Sequence, residues 1–417
     1  MIFQSTSLRF IRRKNMKKLM AILLSVSMIF TLAITTSACL SCKDETEKDT
    51  SLRFGEDGKF TILQISDIQD CILFRDMTRQ FIVYLLDEVN PDLVVLTGDN
   101  VAPNTCFTKG MTKLTFDCFM NIFERRGVKV ATVFGNHDAD RNALTKDEQL
   151  ELYNSYSCYI GGDVAELSGT GTYNLPVLAS GSDKTAFNLW FFDSGEKNDE
   201  NDLGGYGCVH KDQIDWYIET ENALTNENGG TPVPSLAFQH IIVPEVYDVL
   251  KKVENPEDEQ YKDKFVAERL GEYYVFPDEY VTEDTFFSEA PCPPNYSNGQ
   301  ADALVENGNV LGIVSGHDHK NTFVIPYKGM DIIQTATASF GSYGDFNRGA
   351  RVITLHENDL STYETDVIFM GECFDLEDEA TYYRFLYNSE GGNINIAEMF
   401  VAMAKFALAK MKDLIGL

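Results

Sequence analysis

Five short apolar runs in this sequence each end in residues that bind cations. Residues 59–66 (KFTILQIS) lead into Asp67-Ile68-Gln69-Asp70, and 92–97 (DLVVLT) into Gly98-Asp99-Asn100. Residues 128–134 (VKVATVF) lead into Gly135-Asn136-His137-Asp138. Residues 235–238 end in Gln239-His240, and 310–314 in Gly316-His317-Asp318-His319. Carboxylate, amide oxygen and imidazole together suit Mn, Fe, Zn or Mg ions, whereas a structural zinc site would call for thiolates. The chain has six histidines, and four of them (His137, His240, His317, His319) fall in these runs. Such clustering points to one shared site. His210 and His356 stand alone, and a lone histidine is ordinarily a satisfied structural residue.

Those residues need a scaffold that brings five strand ends together. Strand-like apolar runs alternate with helical periodicity at 74–88, which Asn90-Pro91 ends, and at 211–228. Continuous apolar strands with helices between them predict a parallel-type sheet covered on both faces. Further short strands are expected at 186–192, 322–325, 331–334 and 351–355. Their number predicts two packed sheets with helices outside, an α/β fold. In open α/β sheets ligands bind beyond the C-terminal ends of the strands, where all five motifs stand. Residues 254–308 break the rhythm with charges, tyrosines and Pro291-Cys292-Pro293-Pro294. A long excursion of this kind is expected near the site, with Tyr273, Tyr274, Tyr280, Glu289 and Asn295 as candidates for specificity.

The first 42 residues read differently. A basic stretch with Arg9, Arg12, Arg13, Lys14, Lys17 and Lys18 precedes an apolar run at 19–34 and small residues before Cys39. This order is that of an export signal, with Met16 as an alternative start. Cleavage after Ala38, or lipid attachment at Cys39, would make the chain secreted or a cell-surface lipoprotein. Residues 43–57 are expected as a tether, 58–387 as one catalytic domain, and 388–417 as a C-terminal amphipathic helix docked on it. Loss of the six N-terminal cations takes the net charge from −29 to −35. So acidic a body argues against a nucleic-acid partner. It permits an anionic substrate, because bound cations dominate the field of a site. The cysteines beyond Cys42 are scattered without a CxxC pair and are expected mostly as buried thiols.

In order, the motifs resemble those of the calcineurin-like metallophosphoesterases, D-x-H, G-D, G-N-H-[DE], H and G-H-x-H. The stretches Leu189-Trp190-Phe191-Phe192-Asp193-Ser194-Gly195 and Gly316-His317-Asp318-His319-Lys320-Asn321 are similar to the purple acid phosphatase-like (Dcr2-type) branch, as are Tyr206-Gly207 with Gln213 and Trp216.

That resemblance implies a four-layer α/β/β/α sandwich of two mixed sheets flanked by helices, and a hydrolase using two divalent cations. It assigns Asp67, Asp99 and His319 to one ion, and Asp99, Asn136, His240 and His317 to the other. A hydroxide between the ions would attack phosphorus, His137 would protonate the leaving group, and Asp138 would orient His137. The implied substrate is a small phosphomonoester. A phosphodiesterase on nucleotides or lipid head groups uses the same machinery, and a binding protein with its catalysis lost is a third possibility. Two positions depart from the pattern. Gln69 replaces the first histidine, with a neutral and weaker amide oxygen as the available ligand. Ala102 stands where purple acid phosphatases have tyrosine, so no iron–tyrosinate centre is expected.

Overall fold

Leu63 and Ile62 are adjacent in one strand and bury their side chains in different cores, which shows how the fold is layered. The computed structural model describes residues 50–198 and 201–375, all within one compact unit. The expected export signal, Cys39 and the C-terminal helix lie outside the described residues. Strands are numbered along the chain: β1 (Leu52–Arg53), β2 (Lys59–Ile65), β3 (Leu93–Thr97), β4 (Lys129–Val133), β5 (Tyr173–Leu178), β6 (Thr185–Phe191) and β7 (Ser235–Phe238). They continue as β8 (Lys251–Val253), β9 (Ala267–Arg269), β10 (Glu272–Val275), β11 (Val310–Ser315), β12 (Phe323–Tyr327), β13 (Met330–Gln334), β14 (Gly349–His356) and β15 (Asp359–Phe369). The longer helices are α1 (Asp76–Val89), α2 (Lys109–Arg126), α3 (Lys146–Asn154) and α4 (Lys211–Glu227).

Two mixed sheets form the body. One has the order β15-β14-β2-β3-β4, the other β1-β5-β6-β7-β11-β13-β12. Alternate residues of the first, including Ile62, Val95 and Val133, pack against Leu189, Phe238 and Val314 of the second. The opposite face of the first sheet, with Leu63, Val94 and Leu96, is covered by Phe81 of α1 and Phe119 of α2. The outer face of the second, with Trp190 and Ile313, is covered by Ile214 and Tyr217 of α4. This is the four-layer α/β/β/α sandwich. Each fully buried Leu, Ile or Phe in these cores contributes roughly 1.5–3 kcal/mol. Near the site the inter-sheet layer turns polar: Gln64 Nε2 donates to Thr97 Oγ1 (2.9 Å), and Thr335 Oγ1 donates to Gln64 Oε1 (2.6 Å).

Helix α2 was not evident from apolar periodicity, although its caps are local and readable. Thr108 Oγ1 accepts the Met111 N–H, and Gly127 closes the helix in the left-handed region. Helix α1 ends at Asn90, itself left-handed, as the Asn90-Pro91 pair predicts. The expected tether needs correction at its end. Leu52 and Phe54 are buried and β1 pairs with β5, so the folded domain begins several residues before position 58. The excursion contains an antiparallel sheet, β8-β10-β9, with its own small core of Val253, Tyr261 and Val275.

Candidate metal centre

Strands β2, β3 and β4 are mutually parallel, as are β6, β7, β11 and β13, so each set delivers its C-terminal loops to one edge. The five-stranded sheet supplies Asp67, Gln69, Asp99, Asn136 and His137. The seven-stranded sheet supplies His240, His317 and His319. The loops approach closely because glycine stands where they touch. A Cβ on Gly135 would collide with Asp99, and one on Gly316 with Ser66 and Asp67. Asp67, Gln69, Asp99 and His317 adopt positive φ (52°, 33°, 50° and 78°), a strained choice for non-glycine residues. Four such residues in one cluster mark the site, since backbone strain gathers where geometry is functional.

Single donor atoms of Asp67, Asp99 and His240 all lie within 4.8 Å of one another, and all three residues are buried. The imidazoles are oriented from behind. His240 Nδ1 lies 2.8 Å from the Thr97 carbonyl oxygen, which can only accept, so Nδ1 carries a proton and Nε2 faces the cluster. From there Nε2 is 3.1 Å from Asn136 Oδ1 and 3.3 Å from Asp99 Oδ2. His319 repeats the arrangement: Nδ1 faces the Tyr343 carbonyl at 3.1 Å, and Nε2 is 3.2 Å from Asp67 Oδ1. His317 Nδ1 is 3.3 Å from His240 Nε2, and the Tyr206 ring meets the His317 ring edge-on at 4.3 Å.

Electrostatics follow from this packing. Burial alone would lower the His240 pKa, but the Asp99 and Asp67 carboxylates reverse that and push it up to about 10. Burial would raise the Asp99 carboxyl, and the His240 charge outweighs it to hold the group well below the carboxylate range. Burial, reinforced by the His240 charge, pushes His317 down to about 3, leaving a neutral imidazole. His317 Nε2 is buried with no hydrogen-bond partner, and Asp67 Oδ1 has only its ion-pair contact with His319 Nε2 at 3.2 Å. A buried ring nitrogen left without a partner beside two carboxylates is what a cation would satisfy, and the oxygen and imidazole donor set fits one.

His137 differs from the other three. Its backbone N–H donates to Asp99 Oδ1 (2.7 Å), and its ring is 37% exposed at the rim. The ring's neighbour is Asp140, with Oδ2 3.4 Å from Nδ1. The role expected for Asp138 is therefore corrected. Its carboxylate is spent on backbone N–H groups, Oδ2 on Asp99 (2.9 Å) and Gly135 (2.8 Å), Oδ1 on Asn100 (2.8 Å) and Val101 (3.1 Å). Asp138 staples two loops together, and Asp140 is the carboxylate beside His137. Gln69 presents its amide nitrogen to the cluster, with Nε2 donating to Asp99 Oδ2 at 2.7 Å. Sequence reasoning also missed Ser66, which donates to Asp67 Oδ2, and Tyr343, which no motif signals.

A sequence model described as calcineurin-like phosphoesterase matches residues 60–321, more than half of the chain. The chain belongs to the calcineurin-like phosphoesterase family. Family members use a dinuclear metal site, and the Asp67, Asp99 and His240 cluster is its candidate here. The chain is 28% identical to a probable inactive purple acid phosphatase 14 from Arabidopsis thaliana, over 79% of this chain and 82% of that protein. It is 24% identical to the phosphatase DCR2 of Saccharomyces cerevisiae, over 65% of this chain and 46% of that protein. Among solved structures, a dimetal phosphatase from Danio rerio matches 75% of this chain and 99% of its own, at 14% identity and a TM-score of 0.45. The purple acid phosphatase-like and Dcr2 relatives agree with the branch that the motifs resemble.

Proposed function

We propose that this phosphoesterase hydrolyses phosphate monoesters, and does so outside the cytoplasm. The observation that carries the reading is the convergence of Asp67, Asp99, Asn136, His240, His317 and His319 on one buried cluster, with the His137 ring exposed beside it. Asp67 and His319 would hold one cation, and Asn136, His240 and His317 the other, with Asp99 shared. When bound, such cations neutralise phosphoryl oxygens and activate water. His137 stands where it can give a proton to the departing alkoxide, and Asp140, 3.4 Å from its Nδ1, aims the ring. The basic and apolar N-terminal segment supports export, either as a secreted protein or through a lipid on Cys39.

A second reading is favoured by Gln69, whose amide nitrogen faces Asp99 where the family pattern has an imidazole. In it the site binds cations and substrate but turns over poorly, in keeping with relatives named as probable inactive. The test is to strip the purified chain with chelator, reload it with Mn²⁺, and compare an aryl phosphomonoester with the matching diester. Metal-restored turnover favouring the monoester supports the first reading, and a diester preference reassigns the substrate class. Cation binding without turnover of either supports the second.

A further inference from the structure

Glu289, from the excursion, grips the loop that carries His317 and His319 in three ways and reaches the loop of Tyr343 with a fourth bond. Its Oε1 accepts the Lys320 N–H (2.6 Å), and its own N–H donates to Asn321 Oδ1 (3.2 Å). Asn321 Nδ2 donates back to the Glu289 carbonyl (3.0 Å). Its remaining oxygen, Oε2, accepts the Tyr343 hydroxyl at 2.9 Å. Tyr343 in turn stacks on the His319 ring (centroids 4.2 Å apart, planes at 26°), and its carbonyl faces His319 Nδ1. The loop bearing Tyr343 is anchored from beneath by the buried Arg348, whose guanidinium donates to the carbonyls of Ser339, Ser342 and Gly344. The orientation of His319 is thus set by three segments distant in sequence, one of them the excursion.

Resting on the cation-binding reading above, we infer that Glu289 and Tyr343 act as a positioning pair that aims His319 Nε2 at its cation. Neither touches the reacting atoms. The pair makes affinity for the His319-side cation depend on how the excursion is seated. By reciprocity, a cation on that side favours the seated excursion. Partners that orient a metal-binding imidazole from behind are typically worth 10–100-fold in metal affinity.

The experiment is Mn²⁺ titration of the chelator-stripped full chain by calorimetry, comparing wild type with Glu289→Ala, Tyr343→Phe, the double variant and Glu289→Gln. Thermal melts serve as the folding control. Wild type should bind two ions, and Glu289→Ala and Tyr343→Phe should each weaken one of them roughly 10-fold or more. The double variant should be no worse than the weaker single one. Glu289→Gln keeps Oε1 for the Lys320 N–H and turns an amide NH₂ toward the Tyr343 hydroxyl, whose oxygen can accept, so it should rescue affinity, which a general loss of stability would not do. Folded variants that bind both ions as tightly as wild type would overturn the positioning role alone. A folded wild type that binds no cation would overturn the functional reading and the pair together.

Discussion

Asp138 accepts the backbone N–H of Asp99 at 2.9 Å through the same oxygen that takes the N–H of Gly135, so one buried carboxylate fixes the spacing of two loops of the candidate metal centre. Asp138→Asn would turn an amide NH₂ toward two N–H donors and leave both unsatisfied. The expected cost is on the order of 3 kcal/mol in urea unfolding of the chelator-stripped chain. A variant as stable as wild type would show that the staple is not what holds these loops.

His137 and Asp140 should separate from the buried cluster in their effects. His137→Ala is expected to keep cation stoichiometry and lose roughly 10²–10⁴-fold in turnover. Asp140→Asn should cost less and act in the same step, so the double variant should be little worse than His137→Ala alone. Asp99→Ala should lose cations and turnover together. Steady-state rates with metal analysis of the same samples distinguish the three.

Gln69→His restores the imidazole that the family pattern places there. If the glutamine is what weakens the site, the variant should bind Mn²⁺ about tenfold more tightly and raise turnover. Unchanged affinity would mean that the amide side chain is no handicap, and the reading of an impaired site would lose its main support.

His240, pushed up to about 10 by two carboxylates, must release a proton when a cation takes its place between them. Apparent cation affinity is therefore expected to rise from pH 6 toward pH 9, with net proton release detectable by calorimetry in buffers of different ionisation enthalpy. The stability of the stripped chain runs the opposite way. A raised histidine pKa gives stability that is fully present below its ordinary value of 6.5 and is lost as the pH climbs through the folded value. Thermal melts of stripped His240→Gln across that range should be flatter than those of wild type.

Much of the site could be read from sequence because apolar strands are continuous and their chemistry-bearing residues follow at once. Asp67, Asp99, Asn136 and His317 needed only a strand end and a topology that gathers such ends. Direction was harder. In Gly135-Asn136-His137-Asp138-Ala139-Asp140 the spacing names two carboxylates near one imidazole, yet only the turn's path decides which faces the ring. Strand β15 escaped because it is a sheet edge with a half-exposed, polar-alternating pattern, and α2 because its apolar face lies among threonines and charged residues. Tyr343 lies 24 residues beyond His319, and its part is played by a backbone carbonyl and a ring face, which leave no mark on residue type.

The two sheets meet at the cluster, with Asp67, Asp99 and Asn136 rooted in one and His240, His317 and His319 in the other. Ligands divided in this way make a bound ion a cross-brace between halves of the sandwich as well as a reagent. Its grip is felt only when both sheets are in register, so occupancy adds to folding stability by mass action, about 2.7 kcal/mol at a hundredfold excess over the dissociation constant. Under the proposed export, a chain that left the cytoplasm without its ions would arrive with that seam unlaced. Metal supply at that destination would then govern how long the folded chain survives.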